Sequence, residues 1–307
     1  MLTLLTNFKI EHEVTEKITY TNTDGLQVVF SSEPPFLYST KDGFETPENI
    51  IDLQRNYGQD GATQLNAQVD VRELSINGII KGENKSDLAH NRRLLIQTLS
   101  PKLAGTLLYE NEHGAYELDV IPQFAPQINE GTYVNAPSIE EYRVMLLALD
   151  PYWTDKSEID AEIPMAREEN LFEFPLEITE DFEFSRLIAG DVIEIQNNGD
   201  VAVGAVFTIN VNGILVNPRL YNVITQEYFA LNGTFATGTR LRISTVRGKK
   251  RVEQDDGDGW YNIMTKRKVE STFLQIERGI NYLQLQADEG VEFTTSYIRF
   301  EPKILGV

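Results

Sequence analysis

Cysteine is absent from the 307 residues, which excludes disulfides, thiolate catalysis and cysteine-held zinc. Histidine is nearly absent: His12, His90 and His113 stand far apart, so a transition-metal site would have to be almost all carboxylate. Long apolar runs are missing too. The longest is Val144–Leu149, whereas a membrane-crossing helix needs about 20 such residues. Met1–Asn7 lacks the basic start and apolar stretch of a signal peptide, so neither a secretion address nor membrane insertion is expected. Basic charge is scarce: 27 Lys and Arg against 47 Asp and Glu leave a net charge of −20. Both halves are acidic, with 11 against 22 up to Asp150 and 16 against 25 beyond it. A sequence-blind nucleic-acid binder needs basic patches that release counterions from phosphates. An acidic surface instead favours solubility at high concentration.

The patterns of catalysis are missing as well. There is no Gly-x-Ser-x-Gly elbow and no Walker glycine loop. Asp255-Asp256-Gly257-Asp258-Gly259 looks like a calcium loop, but the sixth position counted from Asp256 is Tyr261, where an EF-hand requires glycine. It reads as a flexible hairpin tip. A glycosidase would need two carboxylates facing each other across a cleft, and nothing selects such a pair. No enzyme activity and no cofactor is expected. Trp153, Trp260 and 13 tyrosines are either core filler or flat platforms for sugars, and Trp260 and Tyr261 are the candidate stacking residues.

Strand patterns dominate what is present. Leu65, Ala67, Val69 and Val71 alternate with Asn66, Gln68 and Asp70, and the alternation resumes at Leu74 and Ile76 before the Asn77-Gly78 turn signal. Leu26–Phe30 is a further strand. Gly105–Tyr109 and Ala115–Ile121 flank Glu112-His113-Gly114 as a hairpin. One helix is expected, capped by Ser86, with Asp87 at its positive end, Leu88, Leu95 and Leu99 on one face, Arg92 and Arg93 on the polar side, and Pro101 as its stop. A strand over Tyr142–Leu149 ends at Asp150-Pro151-Tyr152-Trp153, the best domain boundary. The expected division is a first domain over 1–153, an acidic linker and first strands over 154–184, and a second domain over 185–307. In that second half, Val192–Ile195, Val206–Val211, Leu241–Ser244, Tyr282–Leu285 and Tyr297–Phe300 read as strands, and Asn212-Gly213 as a hairpin turn. Many short strands punctuated by Asn and Gly argue a β-sandwich. Asp155–Glu183 holds 11 acidic residues and Arg240–Lys268 nine basic ones, so the two stretches are expected to meet.

Several segments taken in order carry a resemblance. They are Tyr57-Gly58-Gln59-Asp60-Gly61-Ala62 before a strand that ends in Arg72, then Arg92-Arg93-Leu94 running into Ser100-Pro101, then Leu149-Asp150-Pro151-Tyr152-Trp153. In the second half come Asn217-Pro218-Arg219-Leu220-Tyr221-Asn222, Gly238–Thr245, Gly248-Lys249-Lys250, Ser271-Thr272-Phe273-Leu274, Glu277-Arg278-Gly279-Ile280-Asn281 and Ile304-Leu305-Gly306-Val307. This order resembles the distal tail protein family of siphophages and prophages of Gram-positive bacteria, with one departure: Arg278-Gly279 stands where a proline-glycine turn is expected.

The resemblance implies a mainly β fold: an N-terminal β-sandwich with one α-helix and a protruding hairpin, then a C-terminal galectin-like or carbohydrate-module-like β-sandwich. It implies a structural protein of the virion tail tip, assembled in the host cytoplasm. Six copies would form a homo-hexameric ring that joins the tail tube protein to the tail-tip protein and anchors receptor-binding proteins in the baseplate. Phage DNA would pass through without specific binding, and an acidic lumen suits that passage because it repels phosphates. The candidate interface residues are Arg92 and Arg93 on the helix with Tyr109, His113 and Tyr116 on the hairpin Gly105–Ile121, the first candidate for a ring-forming arm; Pro122–Pro137 is the second. Residues 1–153 alone are expected to close the ring. The other reading is a carbohydrate- or receptor-binding accessory of the tail.

Overall fold

The computed structural model describes residues 16–129, 138–156, 162–170 and 185–307. The chain forms two compact units: unit 1 is Met1–Ser157 with Ile304–Val307, and unit 2 is Glu158–Lys303. The boundary therefore lies a few residues beyond the expected Trp153. Ile304–Val307 belongs to unit 1, not to the second domain.

Unit 1 is built from β1 (Lys17–Asn22), β2 (Gln27–Ser31), β3 (Phe36–Asp42), β4 (Asn49–Gln54), β5 (Thr63–Val69) and β6 (Arg72–Lys81). After these come α1 (Lys85–Thr98), β7 (Gly105–Asn111), β8 (Gly114–Pro122), β9 (Gln127–Asn129), β10 (Ile139–Ala148) and β11 (Trp153–Asp155). Nine of these strands and Lys303–Ile304 make one sheet, running from Lys303–Ile304 through β11, β8, β7, β1, β2, β3, β6 and β10 to β9. It closes on itself where β10 also meets β8, at Leu146–Pro122 and Leu147–Ile121. The period-two pattern of these strands turns Leu74, Ile76, Leu107, Leu118, Val144 and Leu146 into the shared core. Fully burying one such side chain contributes about 1.5–3 kcal/mol.

Helix α1 covers one opening of that core with Leu88 and Leu95, followed by Leu99 at its C-cap, the face expected from their spacing. Its cap is Asn84 rather than Ser86: the Asn84 carboxamide oxygen accepts from the Ser86 and Asp87 backbone N–H groups. Asp87 instead reaches back to the Glu83 N–H.

Two expectations about strands are corrected. Arg72 opens β6 instead of closing the strand before it, because Asp70-Val71 breaks the alternation that the sequence carries across. And β5 ends at Val69, short of the Val71 that the alternation includes. It pairs only with β4, in a two-stranded ribbon whose side chains are exposed on both faces.

A single side chain ties unit 1 together. Arg72 is 1% exposed, and its guanidinium donates to four backbone carbonyls: Pro151 (2.7 Å), Gly43 (2.6 Å), Glu45 (2.6 Å) and Leu305. The Trp153 indole lies 5.8 Å from the guanidinium carbon and donates its own N–H to the Phe44 carbonyl. Gly43 sits at φ +84° with the Glu73 carbonyl where a Cβ would stand, so only glycine lets this loop approach β6.

Unit 2 holds two main sheets over a separate core. The larger runs Ile163–Pro164, Thr294–Phe300, Val203–Val211, Arg240–Ser244, Arg251–Asp255, Tyr261–Asn262, with Gln275–Ile276 beside Val203–Val211. The other runs Val192–Asn197, Gly279–Gln286, Arg219–Asn222, Tyr228–Ala230. Phe207, Ile209, Leu241 and Ile298 from one face meet Ile195, Leu220, Phe229 and Leu283 from the other. Asn212-Gly213 does not close a hairpin. Val203–Val211 pairs with Arg240–Ser244 and Thr294–Phe300, while Leu215–Val216 pairs with Thr234–Phe235. The turn at Glu277–Asn281 needs no proline, because the Asn281 carboxamide accepts from the Glu277 N–H and donates to the Glu277 and Gly279 carbonyls.

Replacing Arg72 with Met would leave four inward-facing carbonyls without their donor. Each buried unsatisfied group costs about 1–3 kcal/mol. The expected outcome in urea unfolding is a loss of about 3 kcal/mol or more from the unit 1 transition, with the unit 2 transition unmoved.

Candidate assembly surfaces

The β4–β5 ribbon is the most exposed regular element among the described residues. Ile51 (50%), Leu53 (53%) and Leu65 (64%) are open to solvent, and Tyr57 at its tip is fully exposed. The two strands are held in register from Asn49–Val69 to Gln54–Thr63, with an irregularity between Asp52 and Leu53. A lone two-stranded hairpin is marginally stable in water. One that also exposes large aliphatic side chains is a surface suited to covering by another chain.

The expected arm Gly105–Ile121 does form a hairpin, β7–β8, but it lies inside the sheet between β1 and β11. Tyr109 (2% exposed) and Tyr116 (9%) face the core and are corrected as interface residues. Each continues the inward set of its own strand, after Leu107 and before Leu118, and the register sets the two opposite each other. His113 alone stays at the surface, in a turn shaped by the Asn111 side chain, 3.3 Å from the Glu112 carboxylate. The second candidate, Pro122–Pro137, contributes β9 at the sheet edge, and 130–137 lies outside the described residues.

On α1, Arg93 is exposed and Arg92 half-buried, its guanidinium 3.4 Å from Glu140. Together with Ala89, Ile96 and Gln97 they line a shallow depression on the outer side of the helix.

Tyr109 instead works in a polar cluster at the start of β1. Its hydroxyl donates to Glu16 (3.0 Å), which also accepts from the Tyr38 hydroxyl (2.6 Å) and the Lys41 ammonium (3.0 Å). These donors, Tyr38 foremost, hold the Glu16 carboxyl below its usual range, while burial and Glu16 push the Tyr38 phenol up. A carboxylate with a depressed folded pKa adds stability above its unfolded value and loses it as pH falls through the folded one. Glu16→Gln should therefore be less stable than the parent at pH 7, and the two should converge below about pH 4 in urea midpoints.

In unit 2, Trp260 lines a cavity on the outer face of the larger sheet, whereas Tyr261 is turned away, its hydroxyl bonded to Asp256. Arg240, Arg242, Tyr297 and Arg299 complete the lining with Trp260, and the sequence pattern did not single them out. The Asp255–Gly259 turn is pinned, not loose: the Asp255 carboxylate accepts from the Gly257 and Gly259 N–H groups and from Arg240, which together lower its pKa. No cluster of metal-binding residues occurs among the described residues. Of the acidic stretch expected to meet Arg240–Lys268, Glu162 lies beside Arg240 and Arg242. Most of the remainder falls outside the described residues, and the partners of these arginines are Asp255 and Glu253 on the neighbouring strand.

The phage tail protein RIFT-related domain matches residues 23–149, and the C-terminal domain of siphovirus-type tail components matches 198–299. Among curated proteins none matches at a significant level. The crystal structure of SPP1 Dit (gp 19.1), described as a paradigm of the hub adsorption apparatus in phages infecting Gram-positive bacteria, superposes with a TM-score of 0.67 at 13% identity. The match covers 93% of this chain and 98% of that one. The phage p2 baseplate in its activated conformation with Sr gives a TM-score of 0.48 at 10% identity, over 93% and 98% of the two chains.

Proposed function

The chain belongs to the distal tail protein family of siphophages, and on that premise we propose that it is the hub of the tail tip: a homo-hexameric ring joining the tail tube to the tail-tip protein and anchoring receptor-binding proteins. A structural component of the phage tail has its place in the virion, and assembly in the host cytoplasm is part of the proposal.

The observation that carries the ring is the β4–β5 ribbon. A closed ring repeats one heterologous contact around its axis, so one surface must project and another must receive. The ribbon projects, exposes Leu53 and Leu65, and offers strand edges for pairing on a neighbour. It takes the role that the sequence reading gave to Gly105–Ile121. Arg92 and Arg93 remain candidates for the receiving side, next to exposed Ile96. Unit 2 would then be free to dock adhesins. The ring-forming part is unit 1 with Ile304–Val307, because a fragment ending at residue 153 lacks an acceptor of Arg72.

No catalytic role is assigned. The acidic balance supports a conduit that DNA crosses without adhering, since like charge repels phosphates.

Light scattering and negative-stain microscopy on the full chain test the reading. The expected mass is near six times 34.8 kDa. The double variant Leu53→Glu with Leu65→Glu should give a folded monomer by circular dichroism. A hexamer that survives this change would place the contact elsewhere, and a monomeric parent at micromolar concentration would remove the ring.

A further inference from the structure

The cavity beside Trp260 has a volume of about 280 Å³, and the hub role makes no use of it. Its floor is the outer face of the sheet, with Val206 and Thr208 from Val203–Val211 and Tyr297 and Arg299 from Thr294–Phe300. Arg240 and Arg242 rise from the next strand, Arg240–Ser244, and Glu162 is the one carboxylate in the lining. Three guanidinium groups and one carboxylate line it, and the carboxylates of Asp255 and Glu253 balance Arg240 and Arg242 from the neighbouring strand.

Arg242 and Arg240 are held in place by carboxylates of the adjoining strand. Arg242 donates through Nε (2.9 Å) and Nη2 (2.8 Å) to Glu253, and Arg240 donates through Nη2 to Asp255. A guanidinium carries five N–H donors, so each pair leaves donor capacity. The guanidinium carbons lie 4.1 Å (Arg242) and 5.4 Å (Arg240) from the centre of the Trp260 ring. The half-buried indole is thereby fixed before any ligand arrives, which lowers the ordering cost of binding.

An aromatic face beside several charge-bearing forks is the chemistry that recognises a flat apolar C–H surface joined to an anion. We propose that this cavity binds an anionic sugar unit, a pyranose carrying a carboxylate or a phosphate. The Trp260 ring packs against the C–H face of the sugar, the arginines take the anion, and Thr208 and Tyr297 offer hydroxyls to the ring oxygens. The volume suits one sugar residue and not an extended chain. Tyr261 has no part in it.

The test uses intrinsic fluorescence of the full chain. Of its two tryptophans, Trp153 is 0% exposed in unit 1, so a ligand-induced change reports Trp260. Glucuronic acid, glucose 6-phosphate, glucose and inorganic phosphate are titrated separately. A saturable change with either anionic sugar, absent with glucose, supports the proposal, and the better of the two identifies the anion. Arg299→Gln, with circular dichroism unchanged, should weaken that binding about tenfold, the loss of one charge-assisted contact. Where that variant fails to fold, Arg240→Gln carries the same expectation. Tyr261→Phe should bind as the parent does. No saturable change with either anionic sugar, an equal response to glucose, an equal response to phosphate alone, or unchanged affinity in the folded arginine variant would each overturn the assignment.

Discussion

The Arg72 guanidinium is the constraint on which unit 1 depends. Burial alone disfavours its charge and lowers its pKa to about 10, yet at neutral pH it remains protonated. Its positive charge is tolerated because four carbonyl dipoles converge on it, from the loop after β3, the segment before β11 and the strand Lys303–Ile304 with its continuation. The same segments are also joined directly, by the Val307 N–H to the Phe44 carbonyl, the Trp153 indole to that carbonyl, and the pairing of Lys303–Ile304 with β11. The aromatic group of Phe44, Tyr109 and Trp153, with ring centres 5.3–6.4 Å apart, packs around the same place and excludes water from it. Charge, backbone polarity and aromatic burial therefore specify one arrangement of the loops instead of three independent ones.

The β4–β5 ribbon stands apart from that interior, as a two-stranded sheet separate from the ten-stranded one. The ribbon gains little from its own chain, because its aliphatic side chains face solvent on both sides. An element with so little intrachain burial is stabilised by whatever covers it. The net charge of −20 favours solubility of a chain with such an exposed apolar element. Unit 2 is organised differently: on its larger sheet Arg240 and Arg242 lie against Trp260 while paired with Asp255 and Glu253 on the neighbouring strand.

Strand-rich architecture was readable because alternation survives in most strands, as in Leu74 and Ile76 or Leu241 and Ile243. The helix was readable from the spacing of Leu88, Leu95 and Leu99. The strand was readable but its exposure was not, because alternation reports which side chains share a face, not whether that face has a partner: Leu65 and Ala67 alternate as a core strand would. Tyr109 and Tyr116 looked available because a hairpin signal says nothing about whether its strands lie at an edge or inside a sheet. In the sequence Arg72 is merely the residue at a strand's end, and its four acceptors are scattered over more than 200 residues, so no local pattern could show them. Yet Arg72, the Asp150–Trp153 stretch and Ile304–Val307 had each been singled out, and all three meet at the guanidinium. The cavity beside Trp260 was half visible, through the tryptophan but not through the arginines contributed by other strands.

The bond from Arg72 to Leu305 spans 233 positions of sequence, with all of unit 2 between them. At about 5–20 residues per second, a ribosome adds that length in tens of seconds. The carbonyls of Gly43 and Glu45 precede Arg72, that of Pro151 follows 79 positions later, and that of Leu305 is made last. The final closure of unit 1 is thereby timed by translation itself: a polysome-bound chain holds an incompletely satisfied Arg72 until its second unit has been made.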